Sequence, residues 1–487
     1  MNYLFYIIVF LSLCGIIFIF PLFMRRLKFD FFCKHILRKI VANHPLFFSE
    51  YVVRESIKCA LRQRSKKLEN ALLSANIQQV SALLKKSRKP LSLLLKAFDA
   101  PSKVIPSLTK LYKKNPKNSE LAVWLAWLHE VTENTSLASL FWDKVSEKNL
   151  SPYLRAHYLL HLGKVALKNG DLEYASRQFY DVAALLHRQK CFYEEAQTYL
   201  HLGTIYRISF MGDVAETLFL SALKIYRNLK YSDGEAQTLG HLGILMIGEE
   251  RFEEAEDYLC RSAQIFRDNQ RFVPLAEIFN QQALLSLLKK DYKKATNALR
   301  QAKKIHSQYK NTVGIAFATE LEANCFWAQE AFAKAAQKAL QASSLYKKTD
   351  NISGFLDSLY LQAQSLFRLG NDTETEKILR QIITNGQKDC GCFHLANAYN
   401  LLGILYMRQK DLQRAKGLFQ QSLDLEQRGV RLNALAIDYA NMGLVEFRCG
   451  QKETARKNIQ TALDFARETE DDDLSAQLQK YLRFLSN

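Results

Sequence analysis

Residues 200–219 read Leu-His-Leu-Gly-Thr-Ile-Tyr-Arg-Ile-Ser-Phe-Met-Gly-Asp-Val-Ala-Glu-Thr-Leu-Phe. A small residue, Gly203, is followed twelve positions later by another, Ala215, and then by the bulky Phe219, with the polar turn Gly212-Asp213 between. The spacing predicts two antiparallel helices whose backbones approach at Gly203 and Ala215 while the Phe219 ring fills the space beside them. The pattern recurs every 40 residues. His-Leu-Gly stands at 161–163, 201–203 and 241–243, Ala283, Ala323 and Ala363 replace the glycine, and Gly403 and Gly443 restore it. The second small residue is Ala at 175, 215, 255, 295, 335, 415 and 455, and Thr375 in the sixth unit. No such hairpin can bury its apolar face alone, so eight in register over 155–474 predict an all-α stack with a shared core.

The same arithmetic extends less cleanly on both sides. Leu125-Ala126 followed by Ala138 and Trp142 suggests a degenerate unit, so 90–154 is read as degenerate helical repeats ahead of the array. Residues 475–487 are read as a helix that caps its open end.

The 67 Lys and Arg against 49 Asp and Glu give a net charge of +18. Residues 25–118 alone hold 22 basic and 5 acidic groups, so the basicity belongs to one segment rather than to the repeats. It follows an uncharged, mostly apolar run, Tyr3 to Met24, long enough to span a hydrocarbon core of roughly 30 Å as a helix. Residues 1–24 are therefore expected to be a transmembrane anchor, and 25–89 a basic juxtamembrane helical segment. A cleaved signal peptide needs a basic start and a small-residue cleavage site, and neither is present. The positive flank Arg25, Arg26, Lys28 places the C-terminal body at the cytoplasmic face of a single-pass protein. Lys34, Arg38 and Lys39, opposite the apolar face of Phe29 to Ile40, are expected to meet anionic lipid. Nucleic acid is not expected as a partner, because no aromatic stacking residues are interleaved with the charge.

The repeat resembles the tetratricopeptide repeat family. Leu202-Gly203-x-x-Tyr206 with Ala215-x-x-x-Phe219, and Leu402-Gly403-x-x-Tyr406 with Ala415-x-x-x-Phe419, carry its signature, and the 40-residue period is similar to the longer-helix subclass seen in kinesin light chains. The resemblance implies a right-handed α-solenoid, a superhelix of antiparallel helix pairs whose first helices line a groove. Groove positions carried over from that family give His161, His201, His241, Gln281 and Asn441 two residues before the anchor. Four after it they give Arg207, Trp327, Phe367, Met407 and Phe447, and five after it Arg368, Arg408 and Arg448. Two readings of the last set stay open. The apolar strip edged by Arg suits a segment with apolar and acidic side chains; equally, an Arg in the last turn of a helix complements its dipole.

The chain contains no P-loop, Rossmann glycine cluster, H-E-x-x-H or G-x-S-x-G. Cys390-Gly391-Cys392-x-His394 lacks the further ligands of a structural zinc site. The nine cysteines are scattered and odd in number, against a disulfide framework. No catalysis, metal, cofactor or small-molecule substrate is expected. The expected function is a membrane-anchored scaffold that binds a protein segment in its groove and recruits or assembles a complex. The alternatives are an accessory subunit of another membrane protein and a peptide-sensing regulator.

Overall fold

In the computed structural model, residues 100–132, 134–386, 392–429 and 431–486 are described, with single positions at 52, 71, 93, 94, 96 and 97. The expected anchor Tyr3–Met24 and the lipid-facing Arg25, Arg26, Lys28, Lys34, Arg38 and Lys39 lie outside the described residues. Among the described residues, no helix is long and apolar enough to cross a membrane. The chain divides into two compact units, Met1–Asn269 and Gln270–Asn487.

In the first unit, α1 (Pro101–Lys114), α2 (Ser119–Val131) and α3 (Thr135–Trp142) precede three hairpins. These are α4 (Pro152–Lys168) with α5 (Leu172–Arg188), α6 (Phe192–Ile208) with α7 (Gly212–Leu229), and α8 (Ser232–Gly248) with α9 (Phe252–Asp268). The second unit holds α10 (Phe272–Leu288), α11 (Tyr292–Gln308), α12 (Thr312–Ala328), α13 (Phe332–Lys347), α14 (Ile352–Arg368), α15 (Asp372–Gly386), α16 (Cys392–Arg408), α17 (Leu412–Gly429), α18 (Leu432–Arg448), α19 (Lys452–Glu468) and α20 (Asp472–Ser486). From Pro152 to Leu432, first helices begin 40 residues apart. Within each unit the hairpins form an all-α solenoid.

The close approaches follow from the small residues. A Cβ on Gly163 would lie 2.7 Å from the Phe179 ring, and one on Gly403 2.6 Å from the Phe419 ring. Phe179, Phe219 and Phe419 are fully buried in those spaces. Where Ala takes the anchor, the partner shrinks to Leu299, Ala339 or Leu379. That exchange keeps the volume between paired helices filled without overlap.

Helix ends repeat as regularly. A residue in the left-handed conformation recurs every twenty positions, from Gly170 and Lys190 through Phe210 and Lys230 to Asp350 and Gly370. The next amide bonds back five residues, as Cys191 does to the Leu186 carbonyl at 2.9 Å and Met211 to Tyr206 at 2.9 Å. This closes the last turn and satisfies carbonyls the helix leaves open. Asp171, Asp291, Asn311 and Asn351 cap the following helices through their side chains.

The basic segment also contributes to the core. Val52, Ala71, Leu94 and Ala97 are buried in the cluster that holds Leu108, Tyr112, Trp124 and Leu128 of α1 and α2. Val52 and Ala71 belong to the segment 25–89, expected to be a basic juxtamembrane helical segment.

Candidate functional site

In the first unit, side chains of α2 to α6 and of α8 line a cavity of about 410 Å³. His161, His201 and His241, predicted on three successive first helices, all face it. His157 joins them one helical turn before His161, and Lys164 and Thr204 stand one residue past their anchors. Trp127, Glu130 and Trp142 of the degenerate unit close one side. Leu160, Val182, Leu186 and Leu200 supply an apolar wall.

Each imidazole is placed by an aromatic neighbour. His157 stacks on Trp127 with ring centres 4.1 Å apart, and His161 on Trp142 at 4.4 Å. His201 stacks on Phe179 and His241 on Phe219, each at 5.4 Å. The phenylalanines that fill the glycine gaps thus also set the histidine row. His161 Nδ1 lies 3.0 Å from Glu130 Oε1, which also accepts from Trp142 Nε1 at 2.7 Å. Burial works against the Glu130 charge, but these hydrogen bonds outweigh it and hold the carboxyl below its ordinary range.

The other three histidines are held neutral. Burial pushes His157 down to about 3, with the Lys164 charge adding to the effect. Burial likewise brings His201 to about 4, helped by Lys164 and His241, and His241 to about 4, helped by Arg207. Burial also lowers Arg207, whose Nε is enclosed and meets no acceptor. His157 Nε2 is enclosed and without a hydrogen-bond partner, on a side chain only 7% exposed. The cavity thus combines neutral imidazoles, one ammonium, the Glu130 and Glu194 carboxyls and apolar walls. Among the described residues, no three His, Cys, Asp or Glu converge on a metal position.

The C-terminal candidates are differently employed. Arg408 Nη1 donates to the Phe367 carbonyl at 3.2 Å, its guanidinium covers the Phe367 ring, and it pairs with Asp372. Arg448 Nη1 donates to the Met407 carbonyl at 3.4 Å. Arg368 lies over Phe332 at 4.6 Å and Trp327 at 5.9 Å. The arginines therefore engage neighbouring elements of the solenoid, and Arg408 and Arg448, each in the last turn of its own helix, also donate to the last turn of the preceding first helix. Phe367 and Met407 pack against a buried core, and Trp327 against Ala323, Ala339 and Leu361. Phe447 meets Phe484 of α20 edge-on at 5.7 Å. Gln281 is half-buried on α10, and Asn441 Nδ2 donates to Asn400 Oδ1 at 3.4 Å. The second unit instead holds several acids with raised carboxyl pKa values. Burial raises Glu277, Glu320 and Asp357, and takes Asp438 to about 6.

His157, Glu130 and Trp127 are not among the residues predicted from sequence. For His157 the signal was available: it lies four residues before His161, on the same helix face.

Residues 194–268 and 355–428 match the tetratricopeptide repeat family. No curated protein matches the chain. Among solved structures, a Rap protein complexed with competence and sporulation factor is similar at 14% identity, covering 76% of this chain and 99% of that one, with a TM-score of 0.50. A signal transduction ATPase with numerous domains and a tetratricopeptide repeat sensor, from Pyrococcus horikoshii, is similar at 14% identity over 87% of this chain and 57% of that one, with a TM-score of 0.43. Aspartyl phosphate phosphatase F from Bacillus subtilis is similar at 11% identity over 69% and 95%, with a TM-score of 0.43. At 14% identity the likeness to the Rap protein concerns the fold alone, and the family match shows that this chain carries tetratricopeptide repeats.

Proposed function

We propose that the protein is a membrane-tethered interaction scaffold that receives a segment of a protein partner on the first helices of its repeats. The observation that carries the reading is the row His157, His161, His201 and His241, which three successive first helices present to one cavity. Such a surface combines apolar wall with a few convergent polar groups, the usual make-up of a recognition site. The charge-free run Tyr3–Met24, followed by Arg25, Arg26 and Lys28, supports an anchor with the repeats on the cytoplasmic side. Basic residues Lys34, Arg38 and Lys39 would add attraction to anionic lipid, and tethering raises the effective concentration of captured partners. The repeat fold is typically non-catalytic, and the scaffold needs no cofactor or nucleic acid.

The test is proximity labelling in cells by the full-length protein, its H201A/H241A variant and a form lacking residues 3–24. A discrete set of proteins labelled by the first and lost from the second supports recognition at the cavity. An unchanged set overturns it. Carbonate-resistant sedimentation of the first but not the third supports the anchor, and release of both refutes it.

A second reading is a sensor whose hairpins close on a peptide. The Rap structure named above, which holds competence and sporulation factor, makes it worth testing. It differs in predicting compaction on binding, visible by small-angle scattering.

A further inference from the structure

The repeats are close to neutral taken together, but not evenly so. Residues 289–350 hold 12 Lys and Arg against 5 Asp and Glu. The excess falls on two successive second helices, α11 and α13. Neither carries an Asp or Glu, whereas each of the other six second helices of the array carries at least two. The acids nearby are already engaged. Glu322 of α12 stands between the two helices and pairs with Lys303 of α11 at 3.0 Å and Lys338 of α13 at 2.7 Å. Glu320 accepts from Tyr346 Oη at 2.8 Å, and Asp291 caps α11 by accepting from the Lys294 amide at 2.9 Å. Lys293, Arg300, Lys304, Lys334, Lys347 and Lys348 are exposed, and among the described residues none of them has a carboxylate at ion-pair distance. Beside them, α10 and α11 enclose a recess of about 370 Å³ whose lining includes Gln282, Lys293, Lys294, Asn297 and Gln301, together with the capping Asp291.

Like charges gathered on one face repel, and an anionic partner removes that cost. We infer that the exposed face of α11 and α13, with the recess beside α11, is a docking surface for an acidic segment of a partner protein, its Asp and Glu side chains answered by the lysines and its main chain by Asn297 and Gln301. Of the 12 cations 11 are lysines, and ammonium groups on flexible stems meet carboxylates at varied spacing. The recess favours a peptide over a bilayer, because side chains enter it and a flat head-group surface does not. Nucleic acid fits less well, because the two helices offer a single Arg for base edges and no row of stacking rings. The surface lies on second helices of the second unit. Docking here and capture at the first-unit cavity are therefore separate events, and either can fail alone.

The experiment is fluorescence anisotropy on the full-length protein in neutral detergent, with a labelled dodecapeptide of alternating Glu and Gly and its Lys counterpart. Carbodiimide coupling and mass spectrometry then place the bound peptide on particular lysines. The Glu peptide should bind saturably, the Lys peptide should not, and the couplings should include Lys294, Lys334 and Lys348. Raising salt from about 0.05 M to about 0.5 M should weaken binding at least about tenfold, because the charges are exposed and screened. In K293E/R300E/K304E/K347E, coupling at Lys294, Lys334 and Lys348 should fall at least about fivefold. R62E/R64E/K66E/K67E, in the basic segment that also attracts acids, should leave those couplings in place. Circular dichroism checks that both variants are folded. Couplings confined to residues 25–89, unchanged coupling in the folded α11–α13 variant, or equal binding of the two peptides overturns the inference. Protection of the same lysines from acetylation by anionic vesicles or a single-stranded oligonucleotide, but not by the Glu peptide, gives the face to lipid or nucleic acid and overturns it as well.

Discussion

The guanidinium carbon of Arg408 lies 4.0 Å from the centre of the Phe367 ring, and Nη1 of the same side chain donates to the Phe367 carbonyl oxygen at 3.2 Å. One residue thus covers a ring and caps a helix end in the neighbouring hairpin. Arg408→Ala is expected to lower unfolding free energy by about 1–2 kcal/mol, the sum of an exposed cation–π contact and a dipole-aligned hydrogen bond. Arg408→Lys should recover less than half, because an ammonium cannot lie flat on the ring while donating to the carbonyl. Urea denaturation of both variants decides the matter, and an unchanged midpoint in Arg408→Ala would show that the contacts contribute nothing.

Gly403 and Phe419 make the paired-helix approach in the second unit, where an added Cβ would meet Phe419 Cε1 at 2.6 Å. Gly403→Ala should cost about 1–3 kcal/mol through overpacking. The double variant Gly403→Ala/Phe419→Leu should recover most of it, because Ala283 with Leu299 and Ala363 with Leu379 already solve the same geometry in this chain. If the double variant is no more stable than the single one in thermal unfolding, the clash is not the source of the loss.

The hairpins were legible because the rule that builds them is written in side-chain volume. Gly203, Ala215 and Phe219 state it once, and the 40-residue repetition removes accident. The helix ends were not legible. Among the described residues only Gly170, Gly370 and Gly450 mark the left-handed position with glycine, and elsewhere Lys, Glu, Gln, Asp or Phe occupies it. The role of the arginines was undecidable from one sequence, since the Arg408 partner Phe367 stands 41 residues back, in another hairpin. The histidine row was visible, but its cavity was not. Trp127, Glu130 and Trp142 come from the unit whose pattern is weakest, where periodicity no longer says which side chains face inward.

Phe210 holds φ at 57° while 96% exposed, so it bears the strain of the left-handed conformation with almost no burial in return. Glycine adopts that conformation without a Cβ clash, though it loses more freedom on folding. Phe210→Gly should therefore raise stability by about 0.5–1 kcal/mol. A melting temperature equal to or below that of the wild type would mean that the Phe210 ring makes compensating contacts in solution.

Glu320 gives the second unit a defined response to pH. Burial pushes its carboxyl up to about 7, against the Tyr346 hydroxyl that donates to it at 2.8 Å and with the Asp357 charge adding to the rise. In the unfolded chain the group titrates near 4.5, so between these values the folded state holds a proton that the unfolded state has released. The stability linked to that proton is fully present below about 4.5 and is lost as the pH rises through about 7. Glu320→Gln keeps an acceptor for Tyr346 and cannot ionise. It should match the wild type near pH 4.5 and exceed it near pH 8 by on the order of 2 kcal/mol. Urea denaturation at the two pH values measures the difference. A variant destabilised equally at both would show that the carboxyl acts through its shape and hydrogen bond, not through its charge.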